Sequence, residues 1–279
     1  MNRTIIYSFI LITLFHAVSI QPAIFFKKHR NEQPLGNPEH EQQLITTGQC
    51  INCDLRGFNI TDAINSYHRF SLWTSLALYG DLKPAFVNLS GSDLTGAYCV
   101  SANFENGMFI GTKFVQADLS QVNAQRAVFK DAHFDEANLD HANLNNAYLV
   151  SANLSESNLT DAQLIGARCK DATFNQSLLH NTDLTNAQLQ FAGFSQTDCR
   201  RANFTNANLN NAILEKTVLL QADLTNASLQ NATITNVALA LANLKNSNFK
   251  NAIITGTLFK TCRNIKMARG IPRELQTRS

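Results

Sequence analysis

Between residues 87 and 260 the hydrophobic pattern repeats every five residues and never loses step. Every fifth position from Leu89 to Phe259 forms a series of centres; of the 35, 34 are Leu, Phe, Ile or Cys, and Ala124 is the exception. Two residues before each centre stands a small or β-branched residue, Ala in 22 cases and Thr, Ser, Val or Gly in the others. The remaining three positions are mostly Asn, Asp, Ser, Thr, Gln or Lys. A period of five fits neither an amphipathic helix, near 3.6, nor a strand, near 2. Two inward residues in five, one large and one small, suit a chain that turns a corner after each short stretch. A 20-residue period overlies the first, in Ala142-Asn143-Leu144, Thr182-Asp183-Leu184, Ala202-Asn203-Phe204, Ala222-Asp223-Leu224 and Ala242-Asn243-Leu244. Four fives therefore complete one circuit and like residues stack, the signature of a solenoid. The five prolines, Pro22, Pro34, Pro38, Pro84 and Pro272, all lie outside the array, where they delete no ladder donor.

These segments resemble the pentapeptide-repeat family, whose motif is A(D/N)LXX, over about two thirds of the chain. The resemblance implies an all-β fold, a right-handed quadrilateral parallel β-helix. Coils about 4.8 Å apart would make a rod of roughly 42 Å. The stretch Leu44 to Gly57, with Cys50-Ile51-Asn52-Cys53-Asp54-Leu55 at its centre, resembles the cap that opens exported members. Leu55 and Ile60 read as early centres, a register that points Cys50 and Cys53 inward. A disulfide between them suits an oxidising compartment, and two buried free thiols are the alternative. A thioredoxin-like pair lacks its βαβ context, and zinc lacks two further ligands. Cys99, Cys169 and Cys199 hold centre positions and Cys262 a small inward one, so they read as core residues.

The rest of the chain divides around the array. Residues 1–19 read as a secretory signal, with Arg3 in the n-region, an apolar run from Ile5 to Phe15, and Ala17-Val18-Ser19 at the cleavage spacing. That run is short of the ~20 residues of a membrane span; the other reading is an uncleaved anchor extended by Ile20 to Phe26. The sequence points to a periplasmic or secreted protein with no transmembrane span in the mature chain. Residues 20–43 read as a polar linker, extended and mobile, punctuated by Pro34, Gly36 and Pro38. Residues 44–86 read as an N-terminal cap with a helical insertion: Ile64, Tyr67, Phe70, Ser71 and Leu78 are near helical spacing, Thr61 or Asp62 begins the helix and Gly80 ends it. Its expected role is to cover an open coil end. Residues 87–261 are the β-helix, and 262–279 a C-terminal cap and basic tail with Arg263, Lys266, Arg269, Arg273 and Arg278 against Glu274.

Charge narrows the function. Residues 87–260 carry 14 acids and 11 bases, about −3 net, whereas a mimic of duplex DNA of that length would need roughly 20 negative charges. A DNA-like topoisomerase inhibitor, which some members of the family are, is therefore disfavoured, and nucleic acid is not the expected partner. The pattern holds no nucleophile with its base, no covering loop and no Gly-rich phosphate loop, so the reading is a non-enzymatic binding or structural module without cofactor or metal. Two outward apolar patches are the candidate contacts. One is Met108, Ile110, Val128, Tyr148 and Val150, with Phe191 further along. The other, Leu178, Val218, Leu220, Leu241 and Leu258, is a candidate for self-association, since relatives dimerise through C-terminal coils. The alternative function is a bacterial effector or adaptor acting in a host cell; the sequence does not name the protein partner.

Overall fold

The computed structural model describes residues 36–47, 49–64, 86–257, 259 and 261–277. The expected signal (1–19), most of the expected helix of the insertion, and Leu258 lie outside the described residues. The chain is a β-helix solenoid in which each coil takes 20 residues. Parallel bridges join Met108 to Val128, Val128 to Tyr148 and Tyr148 to Arg168, and the same offset runs through the other outward positions. Among the described residues, three places are regular enough to form strands: β1 (Ile213–Glu215), β2 (Thr233–Thr235) and β3 (Ile253–Thr255), paired in parallel and in the same 20-residue register.

Backbone accounting explains why five residues suffice for one unit. In the unit centred on Leu149, Ala147 N–H closes a turn onto Leu144 O, and Tyr148 N–H donates back one coil to Ala127 O. Leu149 and Ser151 donate forward, to Arg168 O and Lys170 O. Four of the five donors are thereby used. The fifth, on the residue after the centre, finds an acceptor in many units in an Asn or Asp two positions before it. Thr185 N–H reaches Asp183 Oδ1 at 3.0 Å, Thr205 N–H reaches Asn203 Oδ1 at 3.0 Å and Thr225 N–H reaches Asp223 Oδ1 at 2.8 Å. An Asn or Asp at the position before the centre thus serves as an Asx-turn acceptor for the one donor the ladder leaves over.

The corners have their own requirement. The residue two after the centre is left-handed, with φ from 53° to 62° at non-glycine array positions such as Lys216, Asn146 and Phe191, and where the closing bond above is made, as at Ala147 and Ala192, the corner is a type II turn. Asn, Asp and Gly recur there because they tolerate that region. Inside, the centres are buried from Leu89 to Phe249; only Ile254, in the last coil, is half-exposed. Rings one coil apart stack, Phe109 on Phe129 at 4.9 Å and Phe174 on Phe194 at 5.0 Å, which is the strand spacing again. Buried hydroxyls at small positions find carbonyls: Thr112, Thr182, Thr197 and Thr217 reach the centre of the preceding coil (23 residues back), while Ser157, Ser177 and Ser247 reach the centre three residues back.

The N-terminal end corrects the linker reading. Pro38–Thr47 is a helix, α1, where an extended linker through residue 43 is expected from the sequence. Asn37 caps it through Oδ1 to Glu39 N–H at 2.9 Å, Pro38 sits at its first position and Glu39 and Glu41 lie in its first turn. Leu44 is fully buried against the coil, and His40 Nδ1 accepts the N–H of Asp54 at 2.9 Å. The first coil pairs Gln49, Asp54 and Asn59 with Asn88, Asp93 and Tyr98, an offset of 39 because residues 61–86 intervene. Residues 60–64 are helical, the only described part of the insertion's helix. α1 covers the first coil through Leu44, while the covering role expected of the insertion falls on residues that lie mostly outside the described ones. At the other end a 3-10 turn, η1 (Ile265–Met267), and α2 (Arg273–Thr277) follow the last coil, with Ile271 buried and Leu275 packed on the core. No helix among the described residues is long and apolar enough to cross a membrane.

Candidate functional site

The Asx-turn rule gives a way to find where the sequence serves something other than the fold. In most units the position before the centre holds a polar side chain, commonly the Asn or Asp acceptor. Where an apolar residue replaces it, the local hydrogen bond, worth about 1 kcal/mol, is given up for an outward hydrophobic surface. Such replacements are grouped. Met108, Val128 and Tyr148 bridge in consecutive coils, half-buried against one another's flanks. Ile110 and Val150 flank them two coils apart, with Lys130, ion-paired to Asp131 at 3.2 Å, between. Phe191 does not join this patch; Arg168 and Lys170 intervene, and Lys170 Nζ lies 5.6 Å from its ring centroid.

The second group follows the column Leu178, Asp198, Val218, Ala238, bridged coil to coil. Leu178 is 43 % exposed; Ala238 and Ala240 are exposed, and Val218 and Leu220 half-buried. Leu241, at 50 % exposure, stands at the adjoining corner with φ 61°, a left-handed conformation that costs a bulky side chain about 1–2 kcal/mol. At the centre of this patch Asp198 pairs with Arg200 and with His180 Nε2, the latter at 2.9 Å. Burial alone would raise the Asp198 carboxyl, but hydrogen bonds from Arg200 and His180 outweigh it and hold it at about 2. His180, Arg200, Arg201, Leu220 and Gln221 line a shallow groove beside the pair.

A third apolar strip escaped the sequence reading. Ile213 and Ile253, outward on β1 and β3, are 47 % and 63 % exposed. The signal was present, since both occupy the position where Asn or Asp otherwise stands.

Cys50 and Cys53 form a disulfide, both buried in the first coil. Cys99, Cys169, Cys199 and Cys262 are free and buried. Desolvation pushes Cys169 up to about 12 and Cys262 up to about 11, and raises Cys99 and Cys199 further, so none is poised as a thiolate. Asp140, His141 and Asp161 each place one ligand atom within 4.8 Å of the others at the surface, but Asp161 accepts from Asn181 Nδ2 at 2.9 Å and His141 leans on Asp140 at 3.7 Å.

The family model for pentapeptide repeats matches the chain in eight copies, from residue 85 to residue 260. The chain belongs to the pentapeptide-repeat family. Among solved pentapeptide-repeat structures it is similar to HetL, described as involved in heterocyst differentiation regulation, from Nostoc sp. strain PCC 7120. The identity is 26 %, over 79 % of this chain and 88 % of that one, with a TM-score of 0.39. Rfr23 from Cyanothece 51142 is 21 % identical over 57 % of this chain and 96 % of its own, TM-score 0.23. QnrB1, a plasmid-mediated fluoroquinolone resistance protein, is 16 % identical over 68 % and 93 %, TM-score 0.28. No curated protein matches. As a pentapeptide-repeat protein, the chain has Ala, Asn or Asp, and Leu explained by the coil itself, so the apolar departures from that motif are what set this member apart.

Proposed function

We propose that the protein is an exported, non-enzymatic binding module: a right-handed, four-sided pentapeptide-repeat rod that pairs with a second copy of itself through the patch around Asp198. The observation that carries this reading is the grouping of Leu178, Val218, Ala238 and Leu220 with the strained, exposed Leu241. Stability alone would favour Asn or Asp before the centre and Asn or Gly at the corner. The central Asp198–Arg200 pair suits a two-fold contact, because a patch carrying both signs complements its own copy. Export is supported by the signal-like residues 1–19 and by the Cys50–Cys53 disulfide, a bond of oxidising compartments. An adaptor role in a host cell would use the Met108–Val128–Tyr148 strip as its contact. A role like that named for QnrB1 fits poorly with 14 acids and 11 bases along the array.

Light scattering tests the pairing. The parent protein should have a dimer's mass and Leu220→Asp a monomer's, because the substitution buries a carboxylate in an apolar contact without a partner. A monomeric parent, or an unchanged mass for Leu220→Asp, contradicts it.

A further inference from the structure

The charge of the rod is not spread evenly. Residues 88–198 contain 12 acids and 5 bases, whereas residues 199–279 contain 11 bases and 3 acids. The asymmetry is steepest at the C-terminal end, where residues 241–277 hold seven Lys or Arg and a single acid, Glu274. Six of these cations, Lys245, Lys250, Arg263, Lys266, Arg269 and Arg273, are exposed. The fold gathers them at one place. Asn243 bridges to Arg263 and Asn248 to Arg269, so the chain starts another coil and then lays Ile271 and α2 against the end of the stack. In the acidic half four of the five cations are spent on neighbours, Lys113 on Asp93, Arg126 on Glu105, Lys130 on Asp131 and Lys170 on Asp171. Among the described residues none of Lys245, Lys250, Lys266 and Arg269 is in an ion pair. Two apolar side chains stand among them, Ile253 at 63 % and Met267 at 46 % exposure.

We propose that this end of the rod is a docking surface for an anionic lipid bilayer, with the rod's acidic half held away from it. Clustered cations gain free energy near a negatively charged leaflet, and exposed Ile253 and Met267 gain by entering the headgroup boundary. The same apolar pair would gain nothing from the phosphates of a nucleic acid. The acidic half does not cancel the attraction. Asp198, the acid of that half nearest this end, is about three coils, roughly 14 Å, from Thr261, and the screening length at physiological salt is about 8 Å.

Cosedimentation of the full chain with vesicles tests this, using phosphatidylcholine alone and phosphatidylcholine mixed with phosphatidylglycerol. Every variant keeps residues 1–26, so any lipid affinity of that apolar stretch is common to all. The parent should prefer the mixed vesicles, and the preference should weaken with salt. Lys250→Gln/Lys266→Gln/Arg269→Gln should lower partitioning on the order of 100-fold, about 5-fold for each charge. Lys113→Gln/Lys130→Gln/Lys170→Gln, matched in net charge, should leave it unchanged. Circular dichroism checks that both variants fold. Equal losses in the two variants, no preference for phosphatidylglycerol, or binding of a duplex oligonucleotide where vesicles fail would each overturn the proposal.

Discussion

Deleting Asn145 alone should cost more than about 5 kcal/mol of stability, whereas deleting the 20 residues 145–164 should leave a folded rod. Asn145 is the first central residue of a turn closed by Ala147 N–H on Leu144 O. Without it the turn cannot form. Either every following centre is displaced by one, which turns buried Leu149, Leu154 and Leu159 out of the interior, or pairing breaks on both faces of one coil. Exposing each such Leu forfeits about 2–3 kcal/mol. Removal of 145–164 instead joins Leu144 to Ile165 and keeps every later residue in phase. Such a change shortens a stack whose energy is close to a sum over coils, so the melting point should fall modestly. Thermal unfolding followed by circular dichroism separates the two: a cooperative transition for the 20-residue deletion and a lost or strongly lowered one for the single deletion.

Proline at two positions of one unit should have opposite outcomes. Asn123 N–H donates to Ala102 O at 3.0 Å in the preceding coil, whereas Gln125 N–H makes no backbone bond and Gln125 O still accepts from Asn106. Asn123→Pro therefore removes a ladder bond and forces a ring against the neighbouring coil, a loss of about 3 kcal/mol or more. Gln125→Pro places proline at the first central position of a type II turn, which favours it, and should be neutral or stabilising by up to about 1 kcal/mol. Urea midpoints for the two variants check the pair; equal destabilisation would mean that the fifth N–H is not the one left over.

The period of five, the period of 20 and the inward positions were all visible in the sequence, because only side chains that face the interior must be apolar at every turn. The place of Cys50, Leu55 and Ile60 as early inward positions was visible for the same reason. The role of the Asn or Asp before each centre was not, since composition shows a polar residue but not that its Oδ1 accepts a leftover N–H. α1 was missed because Pro34, Gly36 and Pro38 look like linker residues. Asn37-Pro38, with Glu39 and Glu41 after it, is the start signal that should have outweighed them. The patch around Asp198 was half visible: Leu178, Val218, Leu220 and Leu241 stood out as apolar, but the strain at Leu241 and the His180–Asp198–Arg200 cluster appear only once coils are stacked. Ile213 and Ile253 were passed over because they alternate with Thr233 along their column.

The stacking itself is measured most directly by distances between spin labels placed at corners of one column. Asn146, Asn226 and Asn246 are exposed, and the four free cysteines are buried and unreactive. Labels at 146 and 226 should lie about 19 Å apart and labels at 146 and 246 about 24 Å, an increase of one strand spacing for 20 added residues. An increase near 30 Å for those 20 residues, as along a helix, or no regular increase, would contradict the coil on which every assignment above rests.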